Sequence, residues 1–174
     1  MTISKMETLQ DVLLEELGDL YSAENQLIHA LPKLAKAADS DDLRLVIEEH
    51  SEQTKDHINR LEEIFKELGT KPTRVVCKAM KGLIEEGEEV LQKSQKSPAR
   101  DAALIGAAQR VEHYEIAGYG TARSHASLLG HSRIEELLDE TLLEEKQAND
   151  ILNDIAENDV NSQAKSGGGQ STTT

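Results

Sequence analysis

The chain has 174 residues, 37% of them apolar and 30% charged, with one Phe, three Tyr and no Trp. One domain with a real core fits that length, and a core limited to Leu, Ile, Val and Ala suits packed helices better than a β-sandwich. Thirty-three acids against 19 Lys and Arg give a net charge of -14 with no basic run, which argues against nucleic acid as a partner and favours cations.

Helical periodicity begins near the N-terminus. Leu9, Leu13, Leu17, Leu20, Leu27, Leu31 and Ala35 form one stripe over about residues 6–38, with Pro32 as a bend and Glu24 in the middle of the stripe. This first segment is amphipathic rather than a continuous apolar signal, and no run of the chain approaches membrane length, so no membrane partner is expected. Asp39, Ser40 and Asp41 make a turn and a cap, and the second helix follows over about residues 42–68, stopped by Gly69. Its stripe reads Leu43, Ile47, His50, Thr54, His57, Leu61, Ile64 and Leu68. Two histidines and a threonine stand where apolar residues belong, while Glu52 falls on the opposite face.

Residues 70–98 read as a long crossover carrying one or two short helices, broken near Gly82 and Gly87. Such a connection lets a second antiparallel pair of helices pack on the first. Cys77 within it is the one cysteine, which excludes an internal disulfide, fits a reducing cytoplasm and reads as a small hydrophobe. The third long helix, about residues 99–129, aligns Ile105, Ala108, Glu112, Glu115, Tyr119 and Ala126. Gly118 and Gly120 lie on it and predict close helix approach or room for a neighbouring side chain, since each costs about 1 kcal/mol of helix stability relative to Ala. After a turn at Gly130, His131 and Ser132, the last helix covers about residues 133–155 with Ile134, Leu138, Leu142, Glu145 and Leu152 inward. The apolar pattern ends there. Residues 1–160 are expected to form the domain and residues 161–174 a disordered tail.

Reflecting each helical hairpin through its turn levels Glu24 with His57 and Glu145 with Glu115. Glu112 is displaced from Glu115 by about 4.5 Å along the axis. Glu24, His57, Glu112, Glu115 and Glu145 therefore fall in one layer of one bundle. Four carboxylates cannot all stay ionised there without cations, and carboxylates with imidazole form a ligand set for iron, manganese or zinc.

The segments LYSAE (20–24), RLEEIF (60–65), CKAMKGLIEEG (77–87), RDAALIGAAQRVEHYEIAGYGTA (100–122) and TLLEEK (141–146) resemble the YciE/YciF family of ferritin-like proteins over about residues 6–160. The resemblance implies an all-α, ferritin-like antiparallel four-helix bundle with one long crossover, a homodimer, a link to stress responses and iron chemistry. Ferritin-like di-iron proteins take one Glu from each of two helices and Glu-x-x-His from each of the other two. Carried onto this chain, that pattern matches Glu24, Glu112, Glu115, His57 and Glu145. It leaves Thr54 where a Glu and Ala148 where a His would stand, with His50 available two turns from Thr54's partner. Three functions follow as alternatives. The first is an iron- or manganese-binding protein with ferroxidase or peroxide-related activity, using O₂ or peroxide. The second is a non-catalytic stress-related bundle with a degenerate or empty metal site. The third is a mini-ferritin that stores iron or shields DNA, and the acidic charge argues against DNA.

Overall fold

The computed structural model describes residues 6–72 and 75–165. Five long helices account for most of these: α1 (Leu9–Ala37), α2 (Asp41–Glu67), α3 (Lys78–Lys93), α4 (Pro98–Leu128) and α5 (Ser132–Ile155). Their ends follow local chemistry. Thr8 and Asp11 form a reciprocal capping box on α1, and the Ser40 and Ser97 hydroxyls accept from Leu43 N and Arg100 N to open α2 and α4. Gly69 and Gly130 stop α2 and α4 with φ of 66° and 78°, the left-handed conformation that glycine takes without a Cβ penalty. Pro32 lies inside α1, which runs on past it to Ala37.

Helices α1, α2, α4 and α5 form the bundle, each antiparallel to its neighbours. Leu13 and Leu17 of α1 share a cluster with Ala122 and Ala126 of α4, while Leu31 and Ala35 share another with Ile105 and Ala108. Likewise Arg133 near the start of α5 bonds Glu63 near the end of α2. Helix α3 carries the chain back along the bundle and packs against α1 and α4, so that α4 starts beside the α1–α2 turn. Buried Asp101 fixes that arrangement by accepting from Asp39 N at 2.9 Å and Ser40 N at 2.7 Å. Its neighbour Arg100 donates to the Ala37 and Ser94 carbonyls. Neither residue belonged to the apolar stripes, and both serve to join helix ends rather than to do chemistry.

The structure departs from the sequence reading at three places. The crossover holds one uninterrupted helix: Gly82 faces open space, a Cβ at Gly87 would make only ordinary contact with Ala107 and Leu34, and neither glycine breaks the helix. The chain also stays helical beyond α5, through a π-helical turn (Ala156–Val160) and a last turn (Asn161–Lys165). Ala156 and Val160 are buried in the cluster that also holds Leu43, Ile105 and Leu152, and that tertiary contact holds a segment with no periodic stripe of its own. Residues 166–174 of the expected tail lie outside the described residues. Finally, the two glycines of α4 differ. A Cβ at Gly118 would lie 2.8 Å from Leu20 Cδ2, a close approach of α4 to α1, whereas one at Gly120 would meet only Leu142 Cδ2, 4.0 Å away.

Two apolar clusters divide the bundle. One contains Leu13, Leu17, Leu20, Leu61, Phe65, Ala126 and Leu138, the other Leu27, Leu31, Leu43, Ile47, Ile105 and Leu152. Between them lies a layer of buried polar side chains.

Candidate metal centre

Each bundle helix contributes to that layer: Glu24 from α1, His50 and His57 from α2, Glu112 and Glu115 from α4, and Glu145 from α5. All six are buried, and Glu24, His57, Glu115 and Glu145 are 0% exposed. The structure thus brings all six residues expected from the sequence together. They form two overlapping sets. His50, Glu112, Glu115 and Glu145 make one, and Glu24, His57 and Glu145 the other, with the ligand atoms of each set within 4.8 Å of one another. Glu145 belongs to both.

Within the second set, His57 Nδ1 lies 3.0 Å from Glu145 Oε1 and 3.3 Å from Glu24 Oε1. Within the first, His50 Nε2 lies 3.5 Å from Glu112 Oε1 and 3.8 Å from Glu145 Oε2. Few of these approaches are aligned hydrogen bonds. Both oxygens of Glu115, both of Glu145, Glu24 Oε2, Glu112 Oε2, His57 Nδ1 and both His50 nitrogens are buried without a hydrogen-bond partner. A buried polar atom left unpaired costs about 1–3 kcal/mol, and more when charged. So many of them turned toward one another is the pattern expected of a cation site.

Electrostatics follow from the same crowding. Burial, then the neighbouring acids, hold the Glu112 and Glu115 carboxyls well above the usual carboxylate range. Burial also raises Glu24, against the opposing pull of His57. Glu145 goes the other way: burial pushes it up, but His57 at 3.0 Å and the nearby His50 outweigh that and lower it. Burial disfavours charge on His57, yet its contacts with Glu144, Glu145 and Glu24 prevail and push it up to about 12.

Several supporting residues lie around this layer. Glu144 Oε2 stands 3.0 Å from His57 Nε2, and Arg60 reaches the same carboxylate with Nη1 at 2.5 Å and Nη2 at 3.0 Å. The bond to His57, together with Arg60, holds Glu144 down at about 2 against the effect of burial. Tyr119 donates its hydroxyl to Glu24 Oε1 at 2.5 Å, in place of a ligand role of its own. Glu144 and Arg60 were not legible in the sequence, because each sits at a helix edge where a charged residue usually meets solvent. The adjacent pair Glu144–Glu145 is the signal that was available. Tyr21 donates to Glu62 and stands apart from the acids of the layer. Thr54 Oγ1 is committed to the His50 carbonyl of its own helix at 3.0 Å. Ala148 is buried on α5 and lines a small cavity with His50 and Glu112.

The family described as Domain of unknown function (DUF892) matches residues 8–165. The chain belongs to this family. Protein YciF of Escherichia coli (strain K12) is 47% identical over 161 residues, which cover 92% of this chain and 97% of that protein. The crystal structure of that Escherichia coli stress protein superposes with a TM-score of 0.86, over 90% of this chain and 99% of the other. YcfI of Rhodopseudomonas palustris, for which a structural role has been suggested, is 43% identical with a TM-score of 0.84, over 88% of this chain and 98% of its own. A Xanthomonas campestris protein at 17% identity shares the fold, with a TM-score of 0.72 over 91% of this chain and 98% of that one. This DUF892 protein is therefore an all-α bundle of the YciF kind with buried His and Glu groups that could hold a metal.

Proposed function

We propose that this protein binds iron, or manganese in its place, in the polar layer of the bundle and supports slow oxidation of Fe(II) by dioxygen or peroxide. The observation that carries this reading is the buried set of unpartnered carboxylate and imidazole atoms, which protons satisfy poorly and a divalent cation satisfies well. His57 would present Nδ1 to one ion beside Glu24 and Glu145, while His50, Glu112, Glu115 and Glu145 would hold the other. Glu144 accepts from His57 Nε2–H, so Nδ1, which faces the layer, is the ring nitrogen that would bind a metal on giving up its proton. Arg60 in turn orients Glu144. Tyr119 occupies Glu24 Oε1 and leaves Oε2 free. When bound as substrate, two Fe(II) ions each give one electron to O₂, which takes up two protons and leaves as hydrogen peroxide.

Thr54 and Ala148 place one ligand fewer in each half of the layer than the di-iron pattern, and slow turnover follows from that deficit. The competing reading is a non-catalytic structural bundle, favoured by His57, which as a cation between Glu144, Glu145 and Glu24 already offsets part of the acid charge. Metal analysis of freshly purified protein, with Glu112→Ala and Glu145→Ala alongside, separates the two. Retention of iron or manganese by the wild type and its loss from both variants supports the metal site. Equal metal content in all three proteins refutes it.

A further inference from the structure

A small cavity opens between α1, α3 and α4, walled by Leu27, Leu31, Leu34, Leu83, Ala107 and Val111. It offers about 30 Å³ to a water-sized sphere, more than the roughly 10–15 Å³ that one water needs. Water, however, also needs two to four polar partners, and the lining supplies few. Lys33 and Glu88, both partly exposed, are paired with each other at 3.1 Å across the mouth. The remaining polar lining residue is Glu112, at the inner end and within the metal-ligand set. A second, smaller cavity of about 10 Å³ shares Leu31, Ala108 and Glu112 with the first and reaches His50. Those three residues lie between the two cavities, one beginning at the surface beside α3 and the other touching His50 and Glu112 of the carboxylate–imidazole layer. Gly87 also lines the cavity, and a Cβ there would sit 3.8 Å from Ala107 Cβ and 4.0 Å from Leu34 Cδ1, inside the lining.

We propose that this apolar cavity is the path by which dioxygen enters the metal centre, passing the Lys33–Glu88 pair and Gly87 and arriving at Glu112 and His50. The volume admits a diatomic gas but no metabolite, and the lining favours an apolar solute over water or hydrated ions. The proposal rests on the reading of the layer as an oxygen-reactive metal site, and it assigns α3 a role: that helix covers the path and sets its width.

Xenon binding to the metal-free protein tests the cavity apart from any chemistry, because dry apolar cavities take up xenon. In methyl-labelled wild type, xenon should produce saturable shifts at Leu31, Leu34, Leu83 and Ala107. Gly87→Val should abolish them, and Gly87→Ala, whose added methyl reaches only ordinary contact, should reduce them and remains informative if the valine variant does not fold. Both folded variants should bind Co(II) with wild-type affinity, yet Fe(II) oxidation by O₂ should be several-fold slower in Gly87→Val and less impaired in Gly87→Ala. Absence of xenon shifts in the wild type overturns the proposal. So does a wild-type oxidation rate in a folded variant from which xenon is excluded. A wild type that takes up xenon but neither binds Co(II) nor oxidises Fe(II) refutes instead the metal reading beneath it.

Discussion

Glu115→Gln should separate stability from metal binding in opposite directions. The Glu115 side chain is 0% exposed and neither oxygen has a donor. Burial holds its carboxyl well above the usual range, so the folded apo protein binds a proton there more tightly than the unfolded chain does. A carboxyl raised in this way stabilises the fold fully below its unfolded value, and that contribution falls as pH rises toward the folded value. The amide is nearly isosteric, carries no such penalty, and brings two N–H donors to a layer rich in acceptors. Each tenfold change in a carboxyl's proton affinity between folded and unfolded states is worth about 1.4 kcal/mol of stability. For a chain of this size each kcal/mol moves the melting temperature by about 2–4 °C. Apo Glu115→Gln should therefore melt several degrees above the apo wild type at pH 7, and the difference should shrink as pH is lowered toward 4. Metal reverses the order. Binding to the folded state alone adds about 2.7 kcal/mol at a hundred times Kd, roughly 5–11 °C here. Anaerobic thermal melts with and without Fe(II) or Co(II) read both effects. An apo variant no more stable than the wild type, or an equal metal-induced shift in both proteins, would refute the reasoning.

Five further outcomes are expected. Glu144→Gln leaves every ligand atom in place but weakens the acceptor for His57 Nε2–H, so Co(II) affinity measured by calorimetry should fall about 10–100-fold. Because the Glu144 carboxyl is held down at about 2 in the fold, its contribution is present above its ordinary value near 4.5 and lost as pH falls between the two, so acid unfolding of the variant should lose that part of its slope. Gly82→Ala should stabilise the protein by up to about 1 kcal/mol in denaturant titration, since nothing lies within 4 Å of the added methyl, while Gly118→Ala should destabilise it by about 1–3 kcal/mol through the 2.8 Å clash with Leu20. Thr54→Glu with Ala148→His should increase the rate of Fe(II) oxidation over wild type once circular dichroism has verified folding, and an unchanged rate in the folded double variant would show that these two positions do not limit the site.

Access to the candidate metal site is set by where the polar layer sits. It lies between two apolar clusters, Glu115 and Glu145 are buried, and the charges of the layer therefore interact in a low effective dielectric. Arg60 and Glu144 form the boundary toward α5's outer edge, where side chains regain contact with solvent. On the opposite side, Leu83, Ile84 and Gly87 of the α3 crossover wall the apolar cavity that reaches Glu112. The crossover is thus part of the site's architecture as well as a connection.

The sequence by itself determined the helices of the bundle and the face each one buries. Glu24, His50, His57, Glu112, Glu115 and Glu145 interrupt apolar stripes of period 3.6, and a stripe must face the core, so their inward direction follows from periodicity alone. Reflection through short turns gave their level, because a helix rises by a fixed amount per residue. What no single helix contains is the pairing between helices. Glu144 and Arg60 look like solvated edge residues until α2 and α5 pack side by side, and only then does the Glu144 carboxylate meet His57. Asp101 likewise reads as an ordinary first-turn acid, and its burial depends on the α1–α2 turn arriving above α4. The continuous course of α3 and the helical stretch through Lys165 also belong to the tertiary structure. Glycine propensity and a fading apolar pattern are effects of about 1 kcal/mol per residue, and burial of Met80, Ala156 and Val160 against the bundle outweighs them.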